Sequence, residues 1–432
     1  MVTTEALYAL FLKHPLVTTD TRNIPKGSIF FALKGPNFNA NALAAKALEQ
    51  GAAFAVIDEP VYKSDERCLL TKDVLKTLQQ LALHHRTQLK IPVIGITGSN
   101  GKTTTKELMH AVLSRKYKTL ATLGNLNNHI GVPLTLLSIT PADEIAIIEM
   151  GANHPGEIKH LSSLALPDYG LITSIGKAHL EGFGSFEGVI KAKTELYDHI
   201  RAHKGKFFVA AENDLLFGLS SGAERILYGN KPGSEVTGKV TALSPFLSIN
   251  WQKGETGKKQ TLNTQLIGQY NFDNILAAIC VGLYFKVTTA DINAAIESYI
   301  PTNNRSQFVK TTHNSLILDA YNANPSSLTA AIENFSLLKA DNKVAILGDM
   351  LELGPESTEE HRAILYLIAK KKYKLVILVG AEFGKLSAEF KGVFVNDSEE
   401  AIKWIQENPI RGATVLIKGS RGIKLERLAG AL

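Results

Sequence analysis

Residues 91–105 read I-P-V-I-G-I-T-G-S-N-G-K-T-T-T, an apolar strand running into a glycine-bracketed loop that ends in Lys102 and Thr103. Backbone N–H groups freed by Gly98 and Gly101 can converge on phosphate oxygens. Lys102 can reach terminal phosphates, and the Thr103 hydroxyl can hold Mg²⁺. The K-E-L-M-H-A-V-L-S that follows predicts a helix whose N-terminus faces the same anion. A G-x-x-x-x-G-K-[ST] loop ending at Thr103 needs glycine at position 96, where this chain has Ile96. Taken alone, the segment says that ATP or GTP is bound; the plainer alternative is a strand-to-helix turn with an exposed lysine.

Strand–helix alternation continues outward from this loop. Apolar runs at 145–150 (I-A-I-I-E-M), 169–175 (Y-G-L-I-T-S-I) and 206–211 (K-F-F-V-A-A) each end near polar residues. That pattern predicts a doubly wound parallel sheet, with ligands beyond the carboxyl ends of its strands. A β-rich stretch over about 235–267 and the helix N-I-L-A-A-I-C-V-G-L follow, and P-T-N-N-R at 301–305 reads as a linker. Upstream, S-I-F-F-A-L, N-A-L-A-A-K-A-L-E-Q-G and A-A-F-A-V-I-D form a small α/β unit without a phosphate loop. Downstream, S-L-I-L-D-A, K-V-A-I-L-G-D, K-L-V-I-L-V-G and T-V-L-I-K-G predict four strands of a Rossmann-like α/β unit. The expectation is an α/β chain of three domains: 1–88, a central phosphate-loop domain over 89–305, and 306–432.

A length of 432 residues accommodates three such cores. Hydrophobic residues at 45% and charged residues at 20% mark a globular chain rather than a disordered one. No apolar run is long enough to span a bilayer, and M-V-T-T-E-A-L-Y-A-L-F-L-K-H lacks the form of a secretory signal, so a cytoplasmic location is expected. Cys68 and Cys280 have no metal-ligand spacing and read as buried or incidental thiols. The net charge of +6 comes from scattered Lys and Arg without aromatic interleaving, which argues against nucleic acid.

Three further segments carry candidate chemistry. Glu149 ends an apolar strand in the sheet that bears the phosphate loop, a suitable place for a carboxylate that serves a nucleotide-bound Mg²⁺. His179 follows another strand end, in G-K-A-H-L-E-G-F-G-S. F-E-G-V-I-K-A-K-T-E-L-Y-D places Lys191, Lys193 and Glu195 on one helix; by itself this reads as an exposed charged face with Lys191 pairing to Glu195.

Together T-G-S-N-G-K-T, E-M-G-A-N-H-P-G-E-I, A-H-L-E-G-F-G-S and A-K-T-E-L resemble the central domain of the Mur ligase superfamily, which makes cytoplasmic precursors of peptidoglycan. Its phosphate loop lacks the first Walker glycine, which accounts for Ile96. Within the superfamily the resemblance is to the branch that joins D-alanyl-D-alanine to UDP-N-acetylmuramoyl-tripeptide. It extends through D-T-R, F-F-A-L-K-G-P-N-F, N-L-N-N-H-I-G-V-P-L-T-L-L (125–137), G-Q-Y-N-F-D-N-I-L-A-A (268–278), D-A-Y-N-A-N-P-S-S-L (319–328), L-G-D-M-L-E-L-G (347–354) and L-I-K-G-S-R-G (416–422). The family often has a D-G-H-like triplet where this chain has Asn39, Ala40 and Asn41, a departure that bears on UDP-sugar contacts.

The resemblance implies that ATP phosphorylates the tripeptide carboxylate and that the dipeptide amine attacks the resulting acyl phosphate. It assigns the nucleotide to Gly98, Ser99, Asn100, Gly101, Lys102, Thr103 and Thr104, with Asn271 and Asn274 on the adenine side, where helix capping is their plainer alternative, Arg305 at the γ-phosphate and Asp319 at the ribose. Thr103, Glu149, His179 and Lys193 become metal-site residues, Lys193 as a CO₂-derived carbamate. Asn127 and Asn128 lie near the acyl phosphate, with a simple turn as their alternative. Arg305 and Asp319 require domain closure to reach ATP. Tyr321, Asn322, Asn324 and Ser326 meet the incoming dipeptide or nucleotide. Asp20, Thr21, Arg22, Lys34 and Gly35 stand on the UDP side, where Arg22 and Lys34 could equally be solvated charges. The implied partners are UDP-N-acetylmuramoyl-tripeptide and D-alanyl-D-alanine, acting on a monomer with no nucleic acid and no membrane insertion. The competing readings are a ligase adding the third amino acid, a folylpolyglutamate synthase-like enzyme, and a phosphate-loop ATPase switch.

Overall fold

The computed structural model describes residues 1–302 and 304–432; Asn303, inside the predicted linker, lies outside the described residues. Its apolar strand runs become three separate sheets whose inner strands are buried on both faces. In the first, Val17–Thr18, Ile29–Phe31, Phe54–Ile57 and Cys68–Leu70 lie side by side, all parallel.

The central sheet has nine strands, in the order Thr119–Ala121, Ile145–Glu149, Val93–Thr97, Tyr169–Ile172, Lys206–Ala210, Glu224–Tyr228, Val236–Ala242, Ser248–Lys253, Gln260–Asn263. The strands up to Val236–Ala242 pair in parallel, and the last two add an antiparallel edge from the β-rich stretch. Every residue of Val93–Thr97 and Ile145–Glu149 is buried, as expected of parallel strands covered on both faces. Val93–Thr97 lies between the strand two steps later and the strand after that, so the chain reverses its direction of winding at this strand. Loops diverge at such a switch point and leave a crevice at the carboxyl edge.

Helices Lys102–Leu113 and Asn271–Tyr284 cover one face in a core with Ile94, Ile96, Phe208 and Trp251. On the other face, Val74, Leu78 and Leu81 of helix Val74–Gln88 share one core with Val132, Ile148, Leu161 and Tyr197. The N-terminal segment is thereby welded to the central sheet by hydrophobic packing.

The third sheet has the order Gln307–Lys310, Ser315–Asp319, Thr414–Lys418, Lys343–Gly348, Leu375–Val379, Val393–Val395. The four predicted strands are present, and two more flank them. Gln307–Lys310 pairs antiparallel with Ser315–Asp319, and Val393–Val395 is a short parallel edge. Both edge strands are only half-buried and too short for a clear apolar period, which is why periodicity did not reveal them. Leu180, Phe183 and Val189 of the central unit pack into the core of this third sheet with Leu328, Phe335 and Met350.

Among the described residues no helix is long and apolar enough to cross a membrane. Cys68 and Cys280 are free and buried.

Candidate active site

The phosphate loop is fixed from below by the neighbouring strand end. Ser99 N–H donates to Ser174 O (2.8 Å), Asn100 N–H donates to Ser174 Oγ (3.0 Å), and Thr173 Oγ1 donates to Asn100 O (2.6 Å). Gly101 adopts φ +83°, and a Cβ there would stand 2.7 Å from Asn274 Oδ1, so both conformation and space demand glycine. Helix Lys102–Leu113 starts immediately afterwards with no side-chain cap, leaving its N-terminal N–H groups facing the crevice. Lys102 Nζ lies back over the loop at 2.6 Å from Gly98 O. Burial and the nearby Arg305 charge lower its pKa, while Glu149 opposes the shift.

Glu149 is 1% exposed, so it is not a solvated strand-end acid. Its carboxylate accepts from Thr103 Oγ1 (3.0 Å) and from Asn127 Nδ2 (2.8 Å), and Lys106 Nζ stands 3.6 Å away. Lys106, itself 2% exposed, also donates to Thr122 O at 2.6 Å. The sequence reading passed over Lys106, although its place one helical turn after Thr103 puts both on the same face.

The predicted exposed face around Lys193 is corrected. Lys193 is 1% exposed, with Nζ donating to Ala152 O (3.1 Å) and lying 5.1 Å from the centre of the Phe183 ring. Burial, helped by the Lys102 charge, pushes its pKa down to about 7. Glu195 does not pair with Lys191; its carboxylate accepts from Gly156 N and Lys159 N (both 2.8 Å), at the start of helix Glu157–Ala165. Four-residue spacing reports only neighbours along one helix, and this helix packs its supposed outer face against helix Glu157–Ala165.

The third unit reaches this site through several contacts, including Lys177 with Glu360. Asn324 Nδ2 donates to Asn100 Oδ1 of the phosphate loop (2.8 Å), and Lys177 N donates to Ser326 Oγ (3.1 Å). His179, in a left-handed conformation with φ +51°, pairs through Nδ1 with Glu352. Arg305 and Asp319, for which domain closure was expected, line one cavity of about 670 Å³ with Lys102 and Glu149.

That cavity gathers most predicted residues: Ser99 to Thr104, Asn127, Asn128, Glu149, His179, Asn271, Asn274, Arg305, Asp319, Tyr321, Asn322, Asn324 and Ser326. Lys193 is held just behind its wall through Ala152. Asn128 also takes the plainer turn role, its Oδ1 accepting from Ile130 N (3.1 Å) and Gly131 N (2.9 Å). Asn271 and Asn274 are buried rather than capping by side chain: Asn274 Oδ1 accepts from Thr105 Oγ1 (2.9 Å), and its Nδ2 donates to Asn271 Oδ1 (2.8 Å). Asp319 takes an ion pair with Lys418 at 2.7 Å, a partner that sequence order could not disclose.

The UDP-side residues are not brought to this cavity. Arg22 pairs with Asp20, and Lys34 pairs with Asp58 (3.0 Å) and Glu59 (3.3 Å). Asn41, 0% exposed, is consumed internally: its amide donates to Asp58 and its oxygen accepts from Asp58 N, each at 2.9 Å. Asn39 donates to Glu59 at 3.0 and 3.1 Å.

Asn324 has two separable jobs, because it also caps helix Pro325–Leu337 in a reciprocal box with Ser327. Asn324→Ala should cost about 1 kcal/mol in denaturant unfolding through the lost cap. Asn324→Ser should restore that stability but not the reach to Asn100, so equal turnover by Asn324→Ser and the parent would refute a role for the contact.

A phosphate-loop cradle at a switch point, roofed by a third α/β sheet, is the architecture of a nucleotide-dependent ligase. Sequence profiles agree: the Mur ligase middle domain matches residues 96–282, and the Mur ligase glutamate ligase domain matches residues 304–421. The chain is 35% identical to the UDP-N-acetylmuramoyl-tripeptide–D-alanyl-D-alanine ligase of Bacillus subtilis, over 95% of this chain and 92% of the relative. It is also 35% identical to the Escherichia coli enzyme of the same name, over 96% and 93%. Crystal structures of MurF from Acinetobacter baumannii (30% identity, TM-score 0.86, covering 96% of this chain and 92% of that one) and of MurF ligase from Thermotoga maritima with ADP (25%, TM-score 0.85, 97% and 97%) share the fold. The chain belongs to the Mur ligase family.

Proposed function

We infer that this chain is the ATP-dependent ligase that joins D-alanyl-D-alanine to the terminal carboxylate of UDP-N-acetylmuramoyl-tripeptide in the cytoplasm, releasing ADP and phosphate. Near-full-length similarity to enzymes of that name supports the reaction. The observation that carries the residue-level reading is the cavity in which the phosphate loop, Glu149 and the 319–326 segment meet.

The tripeptide carboxylate attacks the γ-phosphorus and ADP leaves. The dipeptide amine then attacks the acyl carbon, the C–O bond to phosphate breaks, and the amine proton passes to solvent. The first step brings two anions together and the second needs the amine aligned on the acyl carbon, so neutralisation and alignment supply most of the rate enhancement. Lys102 and the N–H groups opening helix Lys102–Leu113 suit the β- and γ-phosphates, and Arg305 faces the same charge. Asn127 Nδ2, held by Glu149, is a neutral donor beside the phosphate loop. The roof formed by Asn324 and Ser326 limits water that would hydrolyse an acyl phosphate.

Mg²⁺ fits this site through the buried Glu149 carboxylate on the Thr103 hydroxyl, with His179 beside the substrate carboxylate; when bound it offsets phosphate charge. Among the described residues no group of three His, Cys, Asp or Glu is placed to hold a metal ion alone, which fits a cation completed by nucleotide oxygens. Lys193 suits carbamylation, because its depressed pKa of about 7 supplies the neutral amine that CO₂ requires; the carbamate would add an anion for the second metal.

The test is ADP release with UDP-tripeptide and D-alanyl-D-alanine, compared with lysine, diaminopimelate and glutamate on UDP-dipeptide. Turnover is expected only with the dipeptide. Activity only with a single amino acid would overturn the assignment in favour of a neighbouring ligase.

A further inference from the structure

The fold gathers lysines that are separated along the chain onto the amino edge of the third sheet, where strands Lys343–Gly348, Leu375–Val379 and Thr414–Lys418 begin. Segments 338–343 and 370–374 lie side by side there. Lys374 N donates to Lys343 O (2.9 Å), Lys343 Nζ donates to Ser336 O (2.7 Å), and Tyr373 Oη donates to Ile332 O (3.0 Å). Together these segments hold Lys339, Lys343, Lys370, Lys371, Lys372 and Lys374 against one acid, Asp341. Arg411 joins them from the neighbouring loop, where its backbone oxygen accepts from Asn342 Nδ2 (3.3 Å). Among the described residues none of these cations forms an ion pair with the protein, whereas Lys177, Lys206, Lys231 and Lys385 each sit on a carboxylate. Unpaired like charges held this close repel one another, and an opposing anionic surface relieves that repulsion.

The surroundings of the lysines select the kind of anion. Tyr366, 61% exposed, precedes Lys370 by one helical turn, and Leu337, 59% exposed, ends helix Pro325–Leu337 beside Lys339. Exposed apolar groups flanking lysines suit the headgroup boundary of a bilayer. A nucleic acid would find little to grip within the lysine run, because the Tyr373 ring is turned inward onto Phe335, with centroids 5.6 Å apart, and is lost as a stacking platform. Orientation agrees. Asp319 and Lys418, at the carboxyl ends of their strands, line the reaction cavity, and a six-residue strand such as Lys343–Gly348 spans roughly 20 Å. A surface held at the amino edge therefore stands clear of the cavity.

We propose that this edge docks the protein on an anionic membrane surface, with the lysines against lipid phosphates and Tyr366 and Leu337 at headgroup level. The association is peripheral, since among the described residues no helix is long and apolar enough to cross a membrane. Each lysine near such a surface contributes about fivefold to partitioning, so several acting together suffice for a reversible attachment.

The experiment is cosedimentation of the full chain with vesicles of phosphatidylglycerol and phosphatidylcholine in roughly a one-to-two ratio, against pure phosphatidylcholine. The parent should sediment with the anionic vesicles alone, and raising salt from about 0.1 M to about 1 M should release it as the Debye length contracts. The triple variant Lys370→Gln/Lys372→Gln/Lys374→Gln should bind about 100-fold more weakly, the product of three fivefold losses. Its ADP release without vesicles should match the parent, because none of the three residues lines the cavity. Lys253→Gln/Lys258→Gln/Lys259→Gln removes the same charge from an exposed hairpin of the central sheet and should bind as the parent does. Equal weakening by the two triple variants, equal sedimentation with both vesicles, no sedimentation with either, or displacement from the vesicles by a mixed-sequence DNA duplex each overturns the proposal. None of these binding readouts depends on the ligase assignment.

Discussion

Lys193→Ala is expected to abolish ligation, and short carboxylic acids such as formate or acetate are expected to restore part of it. The Lys193 amine is enclosed by the Ala152 carbonyl and the Phe183 ring, and it lies close enough to Lys102 for the two charges to oppose each other. A protonated amine there would repel both Mg²⁺ and a second ammonium, and at an effective dielectric near 20 such repulsion amounts to about 4 kcal/mol at 4 Å. The proposed carbamate would reverse the sign of the charge. Removing the side chain leaves a pocket without an anion, and a small carboxylate can occupy it. ADP release with and without added acetate, beside ATP binding by the variant as a check of folding, measures both effects. Full activity in Lys193→Ala without acid would eliminate the carbamate.

Glu149→Gln should lower kcat by about 10² to 10³, the scale associated with removing one preorganised electrostatic group. Glutamine can still accept from Thr103 and Asn127, so the local hydrogen bonds survive while the charge is lost. Lys106 would then remain buried with only the Thr122 carbonyl to compensate it, which predicts a loss of about 3 kcal/mol in stability. Thermal unfolding and kcat, measured below the melting transition, separate the two consequences. A variant that melts early yet turns over at the parental rate would make Glu149 a purely structural acid.

The likeness of the chain to Mur ligases was readable because the phosphate loop is local. Strand, glycines, lysine and threonine follow one another, and each element needs only its neighbours to be recognised. The same holds for the buried strands Val93–Thr97 and Ile145–Glu149, whose continuous apolar runs fit parallel strands covered on both faces. The edge strands Gln307–Lys310 and Val393–Val395 were hidden because a half-buried strand of three or four residues carries too little pattern.

Lys193 shows where local reading fails. Its helix has the charge spacing of an exposed face, and i,i+4 logic assigns Glu195 to Lys191. The fold instead presses that face onto the Gly156–Lys159 turn, so Glu195 is taken by backbone N–H groups and Lys193 is left in an apolar wall. Partners such as Lys418 for Asp319, Glu352 for His179 and Asn100 for Asn324 are separated by between 99 and 224 residues. No periodicity records a contact of that span.

The sequence by itself determined the local chemistry: a phosphate cradle without the first Walker glycine, alternating α/β units, and acids and amides at strand ends. These follow from short-range rules of backbone geometry and apolar period. Only the tertiary structure decided which of those groups share a cavity and which charges are buried. Those outcomes depend on long-range packing, which brings the third sheet down on the loop after Val93–Thr97 and buries Lys193 behind the cavity wall.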